Sequence, residues 1–342
     1  MINKAVKQII AGKNLTEKEA FDAMNQIMEG KATDAQIAAF LIGLRVKGET
    51  VEEITGCVRS LSEKANRIIP RTEFCVDPVG TGGDGTNTFN ISSTSAIVAA
   101  AAGACVAKHG NRSVSSRSGS ADLYEALGVN INLSPKAVEK CISDIGFGFM
   151  FAPTFHPAMR HASPVRKQLG VRTVFNLLGP LSNPAGAHGQ VLGVYEKEIM
   201  PFVVQTLAKL GEKHALVIHG SDHSDEITIT GETYVCELKD GEISEYIIYP
   251  EVFGLKRATL ADIQGGEAGE NAQITLDILK GAKGPKRDEV VLNAAATIYV
   301  GQQAGSLAEG ILKAQEVLDN GKALAKLEEI RNYTNSEEIM AL

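Results

Sequence analysis

The chain has little of what marks a secreted, zinc-binding or membrane protein. Its five cysteines are scattered and odd in number, with no Cys-x-x-Cys pair, which disfavours a disulfide framework or a structural zinc site. The most apolar run, residues 96–107, is too short to span a bilayer, and the N-terminus lacks a signal-peptide pattern. These absences predict a soluble cytoplasmic protein without a membrane partner.

An excess of positive charge is also absent. The sequence has 34 Lys and Arg residues against 41 Asp and Glu residues, for a formal net charge of −7. An acidic chain is a poor general binder of nucleic acid, so no nucleic-acid partner is expected. The length of 342 residues is enough for a well-buried core and indicates two domains or one large domain.

The pattern of apolar residues along the sequence changes near residue 70. Before it, three capping boxes of the Thr-x-x-Glu/Gln type precede apolar residues at helical spacing, which predicts a small helical bundle. After it, short β-rich runs alternate with helices, which predicts an α/β domain with a mostly parallel sheet. The capping boxes are Thr16 with Glu19, Thr33 with Gln36 and Thr50 with Glu53.

The second part of the chain gives the element predictions. Strands are expected at residues 75–79, 105–107, 190–195, 215–219, 226–230 and 233–237. Helices are expected from about residue 93, from residue 135, and over residues 165–178, 289–303 and 306–331. The stretch 165–178 is helical in style inside the α/β part, so we expect it to pack on the N-terminal bundle.

The run from Gly80 to Gly85 is the strongest functional signal. Four glycines in six positions, followed by a polar segment and a helix, suit the binding of a phosphate group by backbone N–H groups. The spacing Gly-x-Gly-x-x-Gly formally matches a dinucleotide fingerprint. However, no carboxylate stands about 20 residues later, where the chain reads from Cys105 to Lys108. No Gly-Lys-Ser/Thr follows either, as a P-loop requires, so a phosphate compound of another kind is predicted.

Three further polar runs carry chemistry, and two of them directly follow predicted strands, where ligands bind in open α/β sheets. Residues 108–122 combine three permanent cations with serines and glycines, which favours a diphosphate site over a surface linker. Residues 219–226 end in Asp225 and Glu226, which could hold Mg²⁺ beside a phosphate or form an acidic surface turn. In residues 156–167 one arginine could bind a substrate carboxylate, or the cations could form a solvated helix face.

In order, these runs resemble the motifs of the anthranilate phosphoribosyltransferase family, from the N-terminal helices to about residue 300. The resemblance implies a small N-terminal helical domain and a larger α/β domain with a mostly parallel central sheet and surrounding helices, of the nucleoside phosphorylase and phosphoribosyltransferase type. The helical domain would comprise residues 1–70 and about 163–185, and the α/β domain residues 71–162 and 186–342. A homodimer through the helical domain is also implied. The matching blocks are residues 80–84, 89–93, 108–120, 156–159, 164–166, 172–180 and 225–226.

The activity that the resemblance implies is transfer of the phosphoribosyl group of 5-phosphoribosyl 1-pyrophosphate (PRPP) to the amine of anthranilate, in tryptophan biosynthesis. Mg²⁺ is the implied cofactor. Catalytic roles in positioning and charge stabilisation fall to Lys108 and Arg166. In the family, glycine and an apolar residue are common where His223 and Ser224 stand here, and threonine is usual at Ser93.

The resemblance also assigns binding residues at the matching positions. Anthranilate would contact Gly80, Asn111 and Arg166. Mg²⁺ would be held by Ser92, Asp225 and Glu226. The residues implied to bind PRPP are Gly80, Gly83, Asp84, Thr88, Asn90, Ile91, Ser92, Ser93, Lys108, His109, Gly110, Asn111, Arg112, Ser113, Val114, Ser115, Ser116 and Ser120.

The expected mechanism follows from charge. Departure of pyrophosphate leaves negative charge on the leaving group, which Mg²⁺, Lys108 and the loop N–H groups would stabilise. The aromatic amine of anthranilate is neutral at pH 7 and can attack without a strong base, so His109 is either a proton acceptor or a packing residue. Two alternatives share the architecture. A pyrimidine nucleoside phosphorylase would not need Asp225, Glu226 or Arg166, and a non-catalytic nucleic-acid-binding relative should be basic.

Overall fold

The N-terminal part of the chain is a helical bundle, as predicted. The computed structural model describes residues 1–83, 85–113 and 117–342, and in these ranges no helix is long and apolar enough to cross a membrane. All three capping boxes are confirmed, with both hydrogen bonds of each box formed. Glu53 of the third box is fully buried and also accepts from the Leu15 N–H at 2.8 Å, which ties α4 to the connection between α1 and α2. The helices are α1 (Ile2–Ile10), α2 (Glu17–Met28), α3 (Asp34–Lys47) and α4 (Val51–Glu63).

One sheet organises the rest of the described chain. Its strands are β1 (Val76–Gly80), β2 (Val106–Gly110), β3 (Phe147–Phe151), β4 (Gly189–Gly193), β5 (His214–Gly220), β6 (Thr233–Lys239) and β7 (Glu242–Ile248). They lie in the order β3-β2-β1-β4-β5-β6-β7. The strands from β3 to β5 are parallel, and β6 and β7 continue the sheet in antiparallel pairing. The strand order reverses beside β1, which is the position where open α/β sheets bind ligands.

The two larger of three hydrophobic cores among the described residues lie on opposite faces of the sheet, because successive side chains of a strand point to opposite sides. Val191 and Leu216 belong to the core that α5 and α13 cover, and Leu192 and Val217 belong to the core shared with the N-terminal bundle. The remaining helices are α5 (Ile91–Ala101), α6 (Ser120–Ala126), α7 (Pro135–Ile145), α8 (Ala152–Phe155), α9 (Ser163–Leu169), α10 (Phe175–Leu181), α11 (Met200–Leu210), α12 (Ala268–Leu279), α13 (Pro285–Val300), α14 (Leu307–Asp319), α15 (Lys322–Thr334) and α16 (Glu337–Met340). Short 3₁₀ helices span Pro157–His161, Lys197–Ile199, Pro250–Phe253 and Leu260–Ile263.

The segment before β4 packs as its sequence predicts, although it is not one helix. Residues 165–178 divide between α9 and α10, because Gly170 ends α9 in the left-handed conformation at φ 62°. Val165 and Leu178 share a core with residues of α2, α3 and α4. The assignment of residues 163–185 to a helical domain stays a prediction.

Several local predictions are wrong for physical reasons. Residues 226–230 form no strand, because the N–H groups of Ile227 and Ile229 donate to the side chains of Asn293 and Glu289 of α13, at 2.9 Å each. The expected helix 306–331 is two helices, α14 and α15, separated at Gly321 with φ 81°. Strands β3 and β7 were not predicted at all.

Candidate active site

The glycine loop begins where β1 ends, beside β4 at the reversal of strand order. Gly80 pairs with Gly193 in the ladder of β1 and β4. Gly82 and Gly83 have φ 67° and 73°, a left-handed backbone that glycine adopts without a Cβ penalty. The neighbouring Asp84 lies outside the described residues. This backbone is suited to present N–H groups to an anion.

The first residues of the loop are anchored from several directions. The Thr81 N–H donates to the Gly193 carbonyl at 2.9 Å, and the Thr81 hydroxyl accepts from the Tyr195 N–H at 3.1 Å. The Gly82 N–H donates to the Asp225 carboxylate at 2.7 Å. The loop after β5 therefore reaches the loop after β1, although about 140 residues separate them.

The acidic pair, Asp225 and Glu226, packs against the ends of β1 and β4. A Cβ at Gly80 would overlap the Asp225 carboxylate, and a Cβ at Gly193 would overlap the Asp225 backbone. Glycine at both positions is what lets Asp225 approach this closely. Glu226 accepts from the Ser92 N–H at 2.9 Å, at the start of α5. Asp225, Glu226, Gly80 and Ser92 are thus brought together.

This donor set fits Mg²⁺. Burial, with the Asp225 charge beside it, raises the pKa of Glu226 to about 8, and the Lys108 charge and the Ser92 N–H offset only part of that shift. Mg²⁺ typically takes one or two carboxylates and fills its shell with water and substrate phosphate. Among the described residues no cluster of three or more His, Cys, Asp and Glu side chains is placed to hold a metal, which disfavours an all-protein cage.

The structure shows the local setting of His223 and Ser224, the two unusual residues of the loop after β5. His223 has φ 70°, a left-handed conformation that costs a non-glycine residue roughly 1 kcal/mol or more. This explains why glycine would suit the position. Ser224 is fully buried, and its hydroxyl accepts from the Glu226 N–H at 3.1 Å, which holds the backbone of the acidic pair.

Lys108 lies in β2, buried below the glycine loop. Its ammonium donates to the Pro78 carbonyl at 2.5 Å and is 2% exposed. Burial lowers its pKa, and the carboxylates of Asp77, Glu226 and Asp225 oppose that shift. The cation therefore lies within the field of the acidic pair.

His109 points to the opposite side of β2, towards the segment before β4. Its ring nitrogen Nδ1 lies 3.2 Å from the Gly179 carbonyl, and its ring is 5.0 Å from the His156 ring. Burial lowers the pKa of His109 to about 3. Its backbone N–H donates to the buried Asp77, which also accepts from the Asn183 amide at 2.6 Å.

The predicted binding residues from Asn111 to Ser120 follow β2, and the structure describes part of them. The Asn111 carbonyl accepts from the Ser120 hydroxyl at 3.3 Å, and the Ser113 N–H donates to Asp122 at 3.0 Å. The Arg112 guanidinium pairs with Asp122 and Glu125, so in this conformation its charge is directed at carboxylates. A Cβ at Gly110 would overlap the Ser120 hydroxyl, so glycine there lets the end of β2 and the start of α6 lie close together. Val114, Ser115 and Ser116 lie outside the described residues.

The predicted residues around the start of α5 divide into two groups. Asn90 links three elements, because its side chain donates to the Ser118 carbonyl at 3.0 Å and accepts from the Asn271 amide at 2.9 Å. Thr88 forms an isolated bridge with Gln264. The side chains of Ile91 and Ser93 are buried, so these two residues can meet a ligand only through the local backbone or after movement.

Arg166 lies on α9 with its guanidinium 5.0 Å from the Phe175 ring. Within residues 1–83, 85–113 and 117–342 its side chain makes no ion pair or hydrogen bond. Burial lowers its pKa, which is the cost of a cation without a counter-charge. The guanidinium is thus available for a carboxylate, whereas the neighbouring Arg160 is exposed.

No functional role was predicted for Arg172, which the structure brings to the glycine loop. Its guanidinium donates to the Gly83 carbonyl and lies 4.2 Å from the centre of the Tyr195 ring. Arg172 lies in block 172–180, which resembles the family, but its partners Gly83 and Tyr195 lie after the ends of β1 and β4. Tyr195 was missed as well, because only the pairing of β1 with β4 places it beside the loop.

Comparison with known proteins decides the family. The chain matches the glycosyl transferase family a/b domain over residues 72–324 and the helical bundle domain of the same family over residues 3–65. It is 54% identical over 336 residues to the anthranilate phosphoribosyltransferase of Acetivibrio thermocellus, covering 98% of this chain and 97% of that relative. The chain belongs to the anthranilate phosphoribosyltransferase family.

Solved structures of the anthranilate phosphoribosyltransferase family share the fold throughout. The enzyme from Thermus thermophilus aligns with a TM-score of 0.93 at 45% identity, covering 97% of this chain and 99% of that one. The Saccharomyces cerevisiae enzyme in complex with PRPP and Mg aligns with a TM-score of 0.88 at 30% identity, covering 97% of each chain. The predicted family and fold class are confirmed, and neither alternative is favoured. The predicted roles of individual residues stay predictions.

Proposed function

We propose that this chain transfers the phosphoribosyl group of PRPP to the amine of anthranilate, giving N-(5-phosphoribosyl)anthranilate and pyrophosphate, in tryptophan biosynthesis. The observation that carries the proposal is the contact of the acidic pair with the glycine loop and with the start of α5. The Asp225 carboxylate accepts a hydrogen bond from the Gly82 N–H, and the Glu226 carboxylate accepts one from the Ser92 N–H. Family membership supplies the identity of the two substrates.

PRPP binds across the carboxyl ends of β1 and β2. The glycine loop offers left-handed backbone at Gly82 and Gly83, and α5 offers its N-terminus, both of which suit phosphate. The PRPP site comprises residues of three segments: Gly80, Gly83, Asp84, Thr88 and Asn90 to Ser93; Lys108 to Ser116; and Ser120.

Asp225, Glu226 and Ser92 would hold Mg²⁺. The ion supplies charge stabilisation of the departing pyrophosphate when it is bound. The Lys108 ammonium contributes a positive charge near this pair, since the charges of Asp225 and Glu226 oppose the lowering of its pKa by burial.

Anthranilate binds between the glycine loop and α9. Arg166 pairs with its carboxylate, and Gly80 and Asn111 contact the ring side of the site. The neutral amine attacks ribose C1 as pyrophosphate leaves, so positioning supplies much of the rate enhancement. The Gly179 contact and the lowered pKa of His109 favour a packing role for that residue over proton transfer.

The chain acts as a cytoplasmic homodimer that pairs through its helical domain. Ile10 of α1 and Val46 of α3 are 76% and 81% exposed, and apolar side chains at this exposure are typical of an interface. The five cysteines form no disulfide among the described residues, which fits a reducing compartment.

The experiment is an assay of anthranilate fluorescence with purified protein. The fluorescence should fall only when PRPP and Mg²⁺ are both present, and omission of either should abolish the change. A fall of equal rate after removal of Mg²⁺ by a chelator would contradict the proposal.

A further inference from the structure

Arg172 occupies a junction between three segments. It lies between α9 and α10, on the segment that carries Arg166. Its guanidinium donates to the Gly83 carbonyl of the glycine loop. It also lies on the Tyr195 ring after β4 and 3.6 Å from the Glu196 carboxylate. One planar side chain therefore links its own segment, which also carries Arg166, to the glycine loop and to the end of β4.

The other anchors of the loop differ from Arg172 in one respect. Thr81 is held by backbone and hydroxyl bonds close to β4. Gly82 is held by the Asp225 carboxylate, which is a proposed ligand of Mg²⁺ and cannot give the same lone pair to both partners. Among the described residues, Arg172 is the side chain that bonds to Gly83, and it has no proposed contact with PRPP, anthranilate or Mg²⁺.

We infer that Arg172 is a positioning residue that pre-orders the glycine loop for PRPP and fixes it to the segment that carries Arg166. The inference rests on the proposed function. A loop that is already fixed loses less conformational freedom when a ligand binds, so affinity for the ligand is higher. Without the guanidinium, PRPP must supply the ordering of Gly83 itself.

The geometry of the contact sets its requirements. Stacking on Tyr195 and donation to a carbonyl use the planar fork of arginine, which lysine lacks. A role as a mere positive charge near pyrophosphate would be kept by lysine. The two possibilities therefore differ in their response to Arg172→Lys.

The experiment compares Arg172→Ala, Arg172→Lys and the wild type. For each, the KM values for PRPP and anthranilate, kcat, the melting temperature and the calorimetric affinity for inorganic pyrophosphate with Mg²⁺ are measured. Arg172→Ala should raise the KM for PRPP about tenfold and weaken pyrophosphate similarly, as expected for loss of a charged hydrogen bond. Arg172→Lys should restore little of this, and kcat at saturation should change about twofold at most.

The matched control is Arg257→Ala. Arg257 pairs with Glu251 at 2.7 Å, is similarly exposed and lies after β7, so its loss should leave both KM values unchanged. An unchanged KM for PRPP in Arg172→Ala, or full rescue by lysine, would overturn the inference. A wild type that does not consume anthranilate would instead contradict the proposed function.

Discussion

At the scale of single residues, Arg166 is the clearest functional signal. A guanidinium that loses water without gaining an anionic partner costs folding energy, and burial lowers its pKa accordingly. Such a group is explained when a ligand supplies the missing charge. The sequence could narrow the choice only to arginines of one run, because burial and partners are properties of the fold.

Substitution of Arg166 tests whether it binds the carboxylate of anthranilate. Arg166→Ala should raise the KM for anthranilate about 10- to 100-fold, because a charge-assisted hydrogen bond to the carboxylate is lost. The KM for PRPP should change far less. Arg160→Ala is the matched control, since that exposed neighbour should leave both values unaltered. Equal effects of Arg166→Ala on both substrates would remove Arg166 from the acceptor site.

The buried pair His109 and His156 is a second feature at this scale. Burial lowers the pKa of His156 to about 4 and that of His109 to about 3, so both rings are neutral in the folded protein at neutral pH. In the unfolded chain each ring would take up a proton near pH 6.5. The unfolded state therefore binds more protons below that pH, and acid destabilises the folded state.

The pH dependence of stability tests this pair. The free energy of unfolding should fall as pH drops from about 6.5 to 4, and His156→Asn should lessen that fall by about 3 kcal/mol. Urea denaturation at a series of pH values measures the difference between the two proteins. His223→Asn is the control, because asparagine tolerates the left-handed backbone and the His223 ring is exposed. Parallel pH profiles for wild type and His156→Asn would contradict the assignment.

At the scale of elements, the site depends on the close approach of the loop after β5 to the ends of β1 and β4. Gly80 and Gly193 make room for Asp225, and Ser224 holds the Glu226 backbone. This arrangement brings the proposed metal ligands to the phosphate loop. It also makes the missing Cβ of Gly80 a functional requirement.

Gly80→Ala should therefore displace the Asp225 carboxylate. The kcat/KM for PRPP should fall on the order of a hundredfold, since a misplacement of about 1 Å at a site can cost that much. The Mg²⁺ concentration for half-maximal rate should rise as well. Gly269→Ala in α12 is the control, because a Cβ there meets nothing within 4 Å. Wild-type Mg²⁺ dependence in Gly80→Ala would show that the close approach is unnecessary.

Among the elements, those held by local hydrogen bonds were predictable from the sequence, and those that depend on distant partners were not. The capping boxes of α2, α3 and α4 were predictable because all their hydrogen bonds lie within four residues. The strand expected at residues 226–230 was wrong because Glu289 and Asn293, which are 60 and 66 residues from their partners, accept from its backbone N–H groups. Arg172 escaped notice for a similar reason, since its partners come from two other loops.

At the scale of the whole molecule, the sequence allowed the fold class and the order of motifs to be predicted through a family resemblance. The order of strands, which puts β1 beside β4, follows from long-range pairing that no local pattern reveals. That order makes one site from loops that are far apart in the chain. The exposed apolar side chains on α1 and α3 are a further property of the assembled bundle.

The proposed homodimer predicts a change in assembly state. Wild-type protein should sediment as a dimer, and the double variant Ile10→Glu with Val46→Glu should sediment as a monomer, because charge is buried without a partner at the interface. Its melting temperature at high dilution should stay near that of the wild type. The pair Ile243→Glu and Ile247→Glu, on exposed positions of β7, is the matched control and should remain dimeric. A monomeric wild type would contradict this pairing.

The central claim is tested most directly by identifying the products of one reaction mixture. Purified protein, anthranilate, PRPP and Mg²⁺ are incubated with uridine, thymidine and inorganic phosphate, and all products are quantified by mass spectrometry. We expect N-(5-phosphoribosyl)anthranilate and pyrophosphate in equal amounts, with both nucleosides intact. Cleavage of the nucleosides while anthranilate remains unchanged would contradict the account.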